Sequence, residues 1–186
     1  MEYIAVIDTE TNWYNEVMSI GVAIADKTTF DQIDGLYYVF TPEYKVGGIF
    51  SAALPIKERS GKDVLVKRET AMEKIRNCFA KYNIEQIYAY NANFDKNLLK
   101  ELTNYQWFDI MRIAAYRQYN DRIPANAECC KTGKMKRNYG VEPMMQILSG
   151  NKNYIETHNA YYDAEDELLI MKLLGKNCDT YAVARI

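Results

Sequence analysis

The chain has 186 residues, of which 48% are hydrophobic and 26% are charged, and its formal net charge is −2. This composition is ordinary for a globular protein, and the absence of an apolar run of about 18 residues excludes a transmembrane helix, so we expect no membrane partner. A net charge this small argues against a generally basic nucleic-acid-binding protein, although it allows an enzyme whose metal ions offset a group of acids.

The first ten residues combine a predicted buried strand with two acidic side chains. Residues 4–7 form an apolar run rich in β-branched side chains, which predicts a buried strand. Asp8 and Glu10 follow, and residues two apart on a strand point to the same face. Two such carboxylates repel each other unless a cation lies between them, and a hard divalent cation is the simplest candidate. The alternative is a strand that ends in a polar turn with both acids solvated.

Two more strands are predicted after the first one. They cover residues 17–25 and 36–40, and their short connections predict an antiparallel meander. The following residues, 43–62, are irregular and rich in glycine and proline. We expect them to form the rim of an active site or a partly mobile loop.

From residue 68 onward, helices alternate with short strands. A helix with apolar residues at helical spacing is predicted over residues 68–82. Further predicted elements are strands at residues 87–90 and 107–110, and helices at residues 93–102, 111–119, 139–148 and 161–175. This order predicts a single α/β domain over residues 1–186, with a mixed sheet and helices on its faces. Crossover connections place the later strands parallel to the first, so its two acids would lie centrally at the strand ends.

Two further acids lie where a predicted helix begins. Asp95 follows the strand at residues 87–90, and Asp163 begins the last helix. His158, the only histidine in the chain, precedes Asp163 by five residues. The alternative for each acid is stabilisation of the helix by its dipole, which is common in proteins.

The order of these motifs resembles the DEDDh branch of 3′–5′ exonucleases, which includes proofreading exonuclease subunits, RNase T and oligoribonuclease. The motifs are Asp-x-Glu at a strand end, Asn-x-x-Phe-Asp entering a helix, and His-x-Ala-x-x-Asp entering the last helix. The resemblance covers nearly the whole chain and implies a ribonuclease-H-like mixed five-stranded sheet flanked by helices. Many relatives have a histidine where this chain has Tyr90 and an acid where it has Ser19.

The resemblance also implies the residues that carry the chemistry. Four carboxylates would hold two Mg²⁺ or Mn²⁺ ions, and His158 would be the general base. The four carboxylates are those of Asp8, Glu10, Asp95 and Asp163. Two ions can neutralise the charge on a phosphodiester and activate a water, and imidazole exchanges protons near neutral pH. Asp109 is expected to have a structural role.

The same resemblance implies residues that contact the substrate. Thr9 and Thr11 lie where their backbone would meet the terminal nucleotide, and Asn91 and Phe94 belong to the second motif. Aromatic candidates for stacking on bases are Phe94, Trp13, Tyr161 and Tyr162. For Phe94 and Tyr162, packing in the core or in a groove is the favoured alternative. A basic cluster at residues 131–137 either contacts phosphates or is a solvated charged loop.

The expected function is therefore a metal-dependent 3′–5′ exonuclease that acts on the 3′ end of single-stranded nucleic acid and releases nucleoside 5′-monophosphates. DNA is favoured as substrate. The alternatives are a 3′–5′ exoribonuclease or oligoribonuclease, and a non-catalytic nucleic-acid- or polymerase-binding subunit with the same fold. A DNA polymerase or another replication protein is an expected partner, and a homodimer is left open.

The location of the protein is expected to be cytoplasmic. The chain enters a strand almost at its first residue, without a basic segment followed by an apolar one, so no signal peptide is expected. The four cysteines fit neither the spacing of a zinc site nor a disulfide framework, and we expect reduced thiols.

Overall fold

The structure of the protein, a computed structural model, describes residues 1–54 and 64–186. Part of the predicted irregular rim, residues 55–62, lies outside the described residues. The remainder of that rim contains two short 3₁₀ helices, Glu43–Val46 and Ser51–Ala53.

Six strands form one mixed sheet in the order β4-β3-β2-β1-β5-β6. Strands β1 (Tyr3–Thr11), β2 (Val17–Asp26) and β3 (Gln32–Phe40) pair antiparallel, which confirms the predicted meander. Strands β5 (Gln86–Ala89) and β6 (Gln106–Asp109) continue the sheet parallel to β1, as predicted.

The sheet has one strand more than the predicted five. Strand β4 (Leu65–Val66) pairs in parallel with the end of β3 at the edge of the sheet. A two-residue strand is too short to show any periodicity in the sequence, and for that reason it was not predicted. The predicted α/β class with a mixed, helix-flanked sheet is otherwise confirmed.

Among the residues that the structure describes, five α-helices flank the sheet. Helix α1 is Arg68–Tyr82, as predicted, and the other helices are α2 (Asn93–Leu98), α3 (Met111–Ala114), α4 (Val141–Ser149) and α5 (Ala160–Leu174). Helix α3 is much shorter than the predicted helix at residues 111–119. The chain leaves the helix after Ala115 because Tyr116 forms a β-bridge with Lys134 and Arg117 donates its backbone N–H to the Gly133 carbonyl.

The alternation of β1 divides the apolar core into two parts. Ala5 and Ile7 pack with residues of α1, whereas Ile4 and Val6 pack with residues of α4 and α5. Because alternate residues of a strand share a face, Asp8 and Glu10 continue the face that is covered by α5. The core thus directs both acids toward the helix that carries Asp163.

Two further findings concern membrane-spanning helices and the state of the cysteines. In the part of the chain that the structure describes, no helix is long and apolar enough to span a membrane. The four cysteines are free, as predicted.

Candidate active site at the strand ends

Three elements bring four carboxylates to one edge of the sheet. Asp8 and Glu10 lie near the carboxyl end of β1, and Asp95 lies in the first turn of α2, just after the parallel strand β5. Asp163 lies in the first turn of α5, which packs across β1 and β2. The carboxyl ends of parallel strands meet at the same edge, which is where ligands bind in open sheets.

A glycine allows α5 to approach the sheet closely. Gly21 pairs with Asp8 across β1 and β2, and a Cβ atom at Gly21 would lie only 2.0 Å from the carbonyl oxygen of Ala160. Any side chain at this position would therefore displace the start of α5. The close approach sets the position of Asp163, which lies one turn further along the helix.

The start of α5 is held by its capping residue. The side chain of Asn159 accepts the backbone N–H of Tyr161 at 3.1 Å and donates to the carbonyl of Ala53 at 2.6 Å. Thr157 donates its hydroxyl to Asp163 Oδ1 at 3.1 Å. The cap satisfies a free N–H of the first turn, and the threonine orients the Asp163 carboxylate.

Thr9 has a contact that its predicted substrate role did not include. Its hydroxyl donates to Asp95 Oδ1 at 2.7 Å, and both side chains are buried. The contact joins the end of β1 to the first turn of α2. Thr9 therefore positions Asp95.

His158 lies beside two of the carboxylates. Ligand atoms of Glu10, His158 and Asp163 all lie within 4.8 Å of one another. His158 has a left-handed backbone conformation with φ of 53°, and its ring stacks on Phe50 with a centroid distance of 3.9 Å. The structure thus brings the predicted base to the predicted metal-binding acids.

The crowded acids have raised pKa values. Burial, followed by repulsion from Asp163, raises the pKa of Glu10 to about 8. Burial is also the main cause that raises the pKa values of Asp95 and Asp163, each to about 7, although the Thr9 hydroxyl opposes the rise at Asp95. The pKa of Asp8 is raised well above its usual range by burial and then by repulsion from Asp95. These groups favour bound protons or bound cations over free negative charge.

The donor set fits a hard divalent cation. Within residues 1–54 and 64–186, Asp8 Oδ2 is buried and has no hydrogen-bond partner. A buried carboxylate oxygen without a donor is costly unless a cation satisfies it. Oxygen ligands from four carboxylates are the type that Mg²⁺ and Mn²⁺ prefer.

Two other acids lie close to the site and were not predicted from the sequence. Glu167 is one turn after Asp163 on α5, is only 2% exposed, and accepts the backbone N–H of Tyr90 at 3.0 Å. Glu156 precedes His158 by two residues, and burial together with Glu142 raises its pKa to about 7. Helical spacing of four residues from Asp163 could have indicated Glu167, whereas Glu156 has no signal beyond its proximity to His158 in the sequence.

The remaining predicted substrate residues lie around the acids. Thr11 ends β1 at a register shift, and Asn91 is exposed with a left-handed φ of 61°. Phe94 is 41% exposed at the start of α2, so it does not pack in the core, whereas packing in a groove and stacking on a base both stay open. Trp13 is 64% exposed in the loop after β1. Both of these aromatic rings are accessible to a ligand.

Asp109 has the structural role that was predicted for it. Its Oδ1 accepts the backbone N–H groups of Asn91 at 3.0 Å and of Met111 at 3.1 Å. The carboxylate therefore fixes the turn between β5 and α2, which carries the second motif.

Comparisons with known proteins find similarity among solved structures. Exonuclease X in complex with 5′-overhanging duplex DNA is 19% identical with a TM-score of 0.57, and the match covers 97% of this chain and 98% of that one. Escherichia coli exonuclease I in complex with a dA16 oligonucleotide is 14% identical with a TM-score of 0.65, covering 97% and 42% of the two chains. The 3′-exonuclease from a structure of 3′-end-specific recognition of a histone mRNA stem-loop is 15% identical with a TM-score of 0.65, covering 96% and 65%.

The chain thus spans less than half the length of exonuclease I and about two thirds of the 3′-exonuclease chain. No family model matches the sequence, and no curated protein matches it. The chain has the fold of these exonucleases, which confirms the ribonuclease-H-like fold that was predicted from its three motifs.

Proposed function

We propose that the protein is a metal-dependent 3′–5′ exonuclease that removes nucleoside 5′-monophosphates from the 3′ end of single-stranded nucleic acid. The observation that carries this proposal is the convergence of Glu10, His158 and Asp163, whose ligand atoms lie within 4.8 Å of one another. Asp8 and Asp95 lie close enough to these residues for their carboxylates to repel one another. The fold shared with three exonucleases supports the same reaction class.

Asp8, Glu10, Asp95 and Asp163 would hold the metal, as two Mg²⁺ or Mn²⁺ ions. When bound, such ions supply charge neutralisation at the phosphate and activation of the attacking water. Without cations, the cluster of acids would repel a phosphodiester. Thr9 and Thr157 orient two of the carboxylates through the hydrogen bonds described above.

His158 would take the proton from the attacking water at a ring nitrogen. Its stacking on Phe50 restricts the rotation of the imidazole and keeps the ring next to Glu10 and Asp163. The backbone at Thr9 and Thr11 would bind the terminal nucleotide. Asn91 and Phe94, both exposed, would also contact it.

DNA remains the favoured substrate, and an exoribonuclease or oligoribonuclease is the second candidate. Two of the similar structures hold DNA, whereas the third concerns recognition of a histone mRNA stem-loop. A partner DNA polymerase or replication protein, a homodimer, a cytoplasmic location and a single domain over residues 1–186 stay predictions.

The test is a gel assay of single-stranded DNA and RNA of equal sequence, labelled at the 5′ end and incubated with Mn²⁺. We expect a ladder that shortens from the 3′ end with the wild-type protein. His158→Ala should retain Mn²⁺ binding and lose several orders of magnitude in rate. If folded, metal-bound protein degrades neither substrate, the protein is the non-catalytic binding subunit instead.

A further inference from the structure

We propose that the basic loop, residues 131–137, binds the phosphates of the nucleic acid strand upstream of its 3′ end. The proposal rests on the proposed function, because it extends the path of the substrate away from the acids. It also defines a separate interaction surface, with nucleic acid phosphates as its partner and with no role in the hydrolysis itself.

The segment that follows the basic loop is hydrogen-bonded to a residue beside the site. Tyr90 follows β5 and precedes Asn91, and its hydroxyl donates to the Tyr139 carbonyl at 2.5 Å. The backbone N–H of Tyr90 donates to Glu167, which lies one turn from Asp163 on α5. One residue therefore connects the site to the segment that follows the basic loop. On this proposal, a strand whose 3′ end lies at the acids would pass Tyr90 and Tyr139 before it meets the loop.

The basic loop has a fixed backbone. Met135 is 5% exposed, forms a β-bridge with Cys129, and donates its N–H to the Ala115 carbonyl at 2.9 Å. The N–H of Lys136 donates to the Glu128 carbonyl at 2.9 Å. The buried methionine anchors the loop, and its flanking cationic side chains face outward. A surface that is held in place loses little conformational entropy when it binds a ligand.

The charges of the basic loop are available for binding. Lys131, Lys136 and Arg137 are exposed. The Arg137 guanidinium lies 3.3 Å from the carboxylate of Glu128, with side-chain exposures of 78% and 60%. A pair this exposed is weak, so phosphates can compete for the guanidinium. A chain with a net charge of −2 thus carries a local concentration of positive charge in this loop.

An aromatic ring accompanies the cations. Lys134 Nζ lies 4.3 Å from the centroid of the Tyr139 ring, and Tyr139 is 38% exposed. Surfaces for single strands combine cations that follow the backbone with rings on which bases stack. This pairing favours a nucleic acid over an acidic protein, because an acidic peptide would use the cations and leave the ring unused.

The first experiment measures the binding of 20-nucleotide dT and U strands, labelled with fluorescein, by fluorescence anisotropy in EDTA. A triple variant, Lys131→Ala with Lys136→Ala and Arg137→Ala, is compared with the wild type. The matched control removes three exposed cations from the other side of the sheet, in Lys74→Ala, Arg76→Ala and Lys100→Ala. Thermal unfolding of both variants verifies that they are folded.

We expect the loop variant to bind both strands about tenfold more weakly at low salt and the control to stay within about twofold of the wild type. Three lost phosphate contacts should also flatten the salt dependence, reducing the slope of log K against log salt by about 2. Equal losses in both triple variants, or no loss in either, would overturn the proposal in favour of a solvated charged loop. A loss confined to DNA or to RNA would overturn phosphate recognition as the mechanism.

A second measurement separates this proposal from the proposed function. Hydrolysis of a three-nucleotide strand in Mn²⁺ should be equal in the wild type and the loop variant, because so short a substrate does not reach the loop. Loop-dependent binding by a protein that hydrolyses nothing would contradict the exonuclease and leave the basic loop as a binding surface.

The variants of Tyr139 test whether bases stack on its ring. Tyr139→Phe should bind the long strands like the wild type, whereas Tyr139→Ala should bind them several-fold more weakly. Equal effects of the two substitutions would exclude stacking.

Discussion

His158 combines a left-handed backbone with a ring stacked on an aromatic neighbour. Non-glycine residues rarely have φ near 53°, and they keep it only where the surroundings hold it. Here the His158 ring stacks on Phe50, and the next residue, Asn159, is fixed as the cap of α5. The imidazole is therefore preorganised by packing, since the chain itself would favour another conformation.

Phe50→Ala should reduce catalysis more than substrate binding. Loss of the stacking partner allows the His158 ring to rotate away from Glu10 and Asp163, and a stacked pair contributes about 0.5–1.5 kcal/mol. We expect kcat to fall several-fold, up to about tenfold, with KM nearly unchanged, as measured by steady-state hydrolysis in Mn²⁺. Phe50→Tyr keeps the ring and should restore kcat. A rise in KM with kcat unchanged would show that Phe50 contacts substrate instead.

Thr9→Val should weaken metal binding by about 10–100-fold, the usual cost of removing a hydrogen bond to a metal-binding side chain. The Thr9 hydroxyl lowers the pKa of Asp95, so its removal lets protons compete better for that carboxylate. Calorimetric titration with Mn²⁺ at pH 7 measures the change. Thr9→Ser retains the donor and should bind the ion like the wild type; an equal loss in Thr9→Ser would contradict this role.

At the scale of elements, the site depends on the close packing of α5 onto β2. The carbonyl of Ala160 occupies the space that a side chain at residue 21 would need. Helix α5 contributes Asp163 and the buried Glu167, and His158 lies just before its start. A displacement of the helix would therefore move three chemically important groups together.

Gly21→Ala should lower the free energy of unfolding by about 1–3 kcal/mol, the usual cost of overpacking, and should reduce Mn²⁺ affinity as α5 shifts. Urea unfolding and calorimetry measure the two effects. Gly140→Ala is the matched control, because its Cβ would lie 4.0 Å from the nearest atom, Pro143 Cδ. If the two variants were equally stable, α5 would not be held in place at Gly21.

The sequence predicted those parts of the site that follow a local period or motif. The alternation of β1 placed Asp8 and Glu10 on one face, and the position of Asp163 in a first turn followed from the last helix. The contact between Phe50 and His158 joins residues more than a hundred positions apart, and no local pattern indicates it. The predicted length of α3 was wrong for a similar reason, because a β-bridge between Tyr116 and Lys134 replaces the second half of the predicted helix.

At the scale of the whole molecule, folding concentrates acids in one region. Asp95, Asp163 and Glu167 are each no more than 3% exposed, and Asp8 raises the charge density beside them. Burying carboxylates near one another opposes folding unless protons or cations bind. The stability of the metal-free protein should therefore decrease as the pH rises and these acids lose their protons.

In EDTA, the melting temperature should fall by several degrees as the pH rises from about 5 to 8. The folded-state pKa of Glu10 is about 8 and that of Asp163 is about 7, both above the unfolded values, so the folded state binds more protons in this range and loses this advantage as they dissociate. Mn²⁺ should reverse the trend, because it binds the ionised carboxylates. Thermal scans at several pH values test both statements; a melting temperature that rises with pH in EDTA would contradict them.

Asp8→Asn should melt at a higher temperature than the wild type in EDTA at pH 8, because an amide does not carry the cost of burying a carboxyl group that must either stay ionised or take up a proton. The same variant should gain little stability from Mn²⁺. Glu73→Gln, an exposed acid on α1, is the control and should follow the wild type under both conditions.

The segment around the Ser51–Ala53 turn has two separate attachments to the same part of the chain. Phe50 covers the imidazole of His158, and the carbonyl of Ala53 accepts the side chain of Asn159. A single rearrangement of four residues would thus alter the proposed base, His158, and the start of the helix bearing Asp163 at once. Such a linkage couples the position of the His158 imidazole to that of the Asp163 carboxylate.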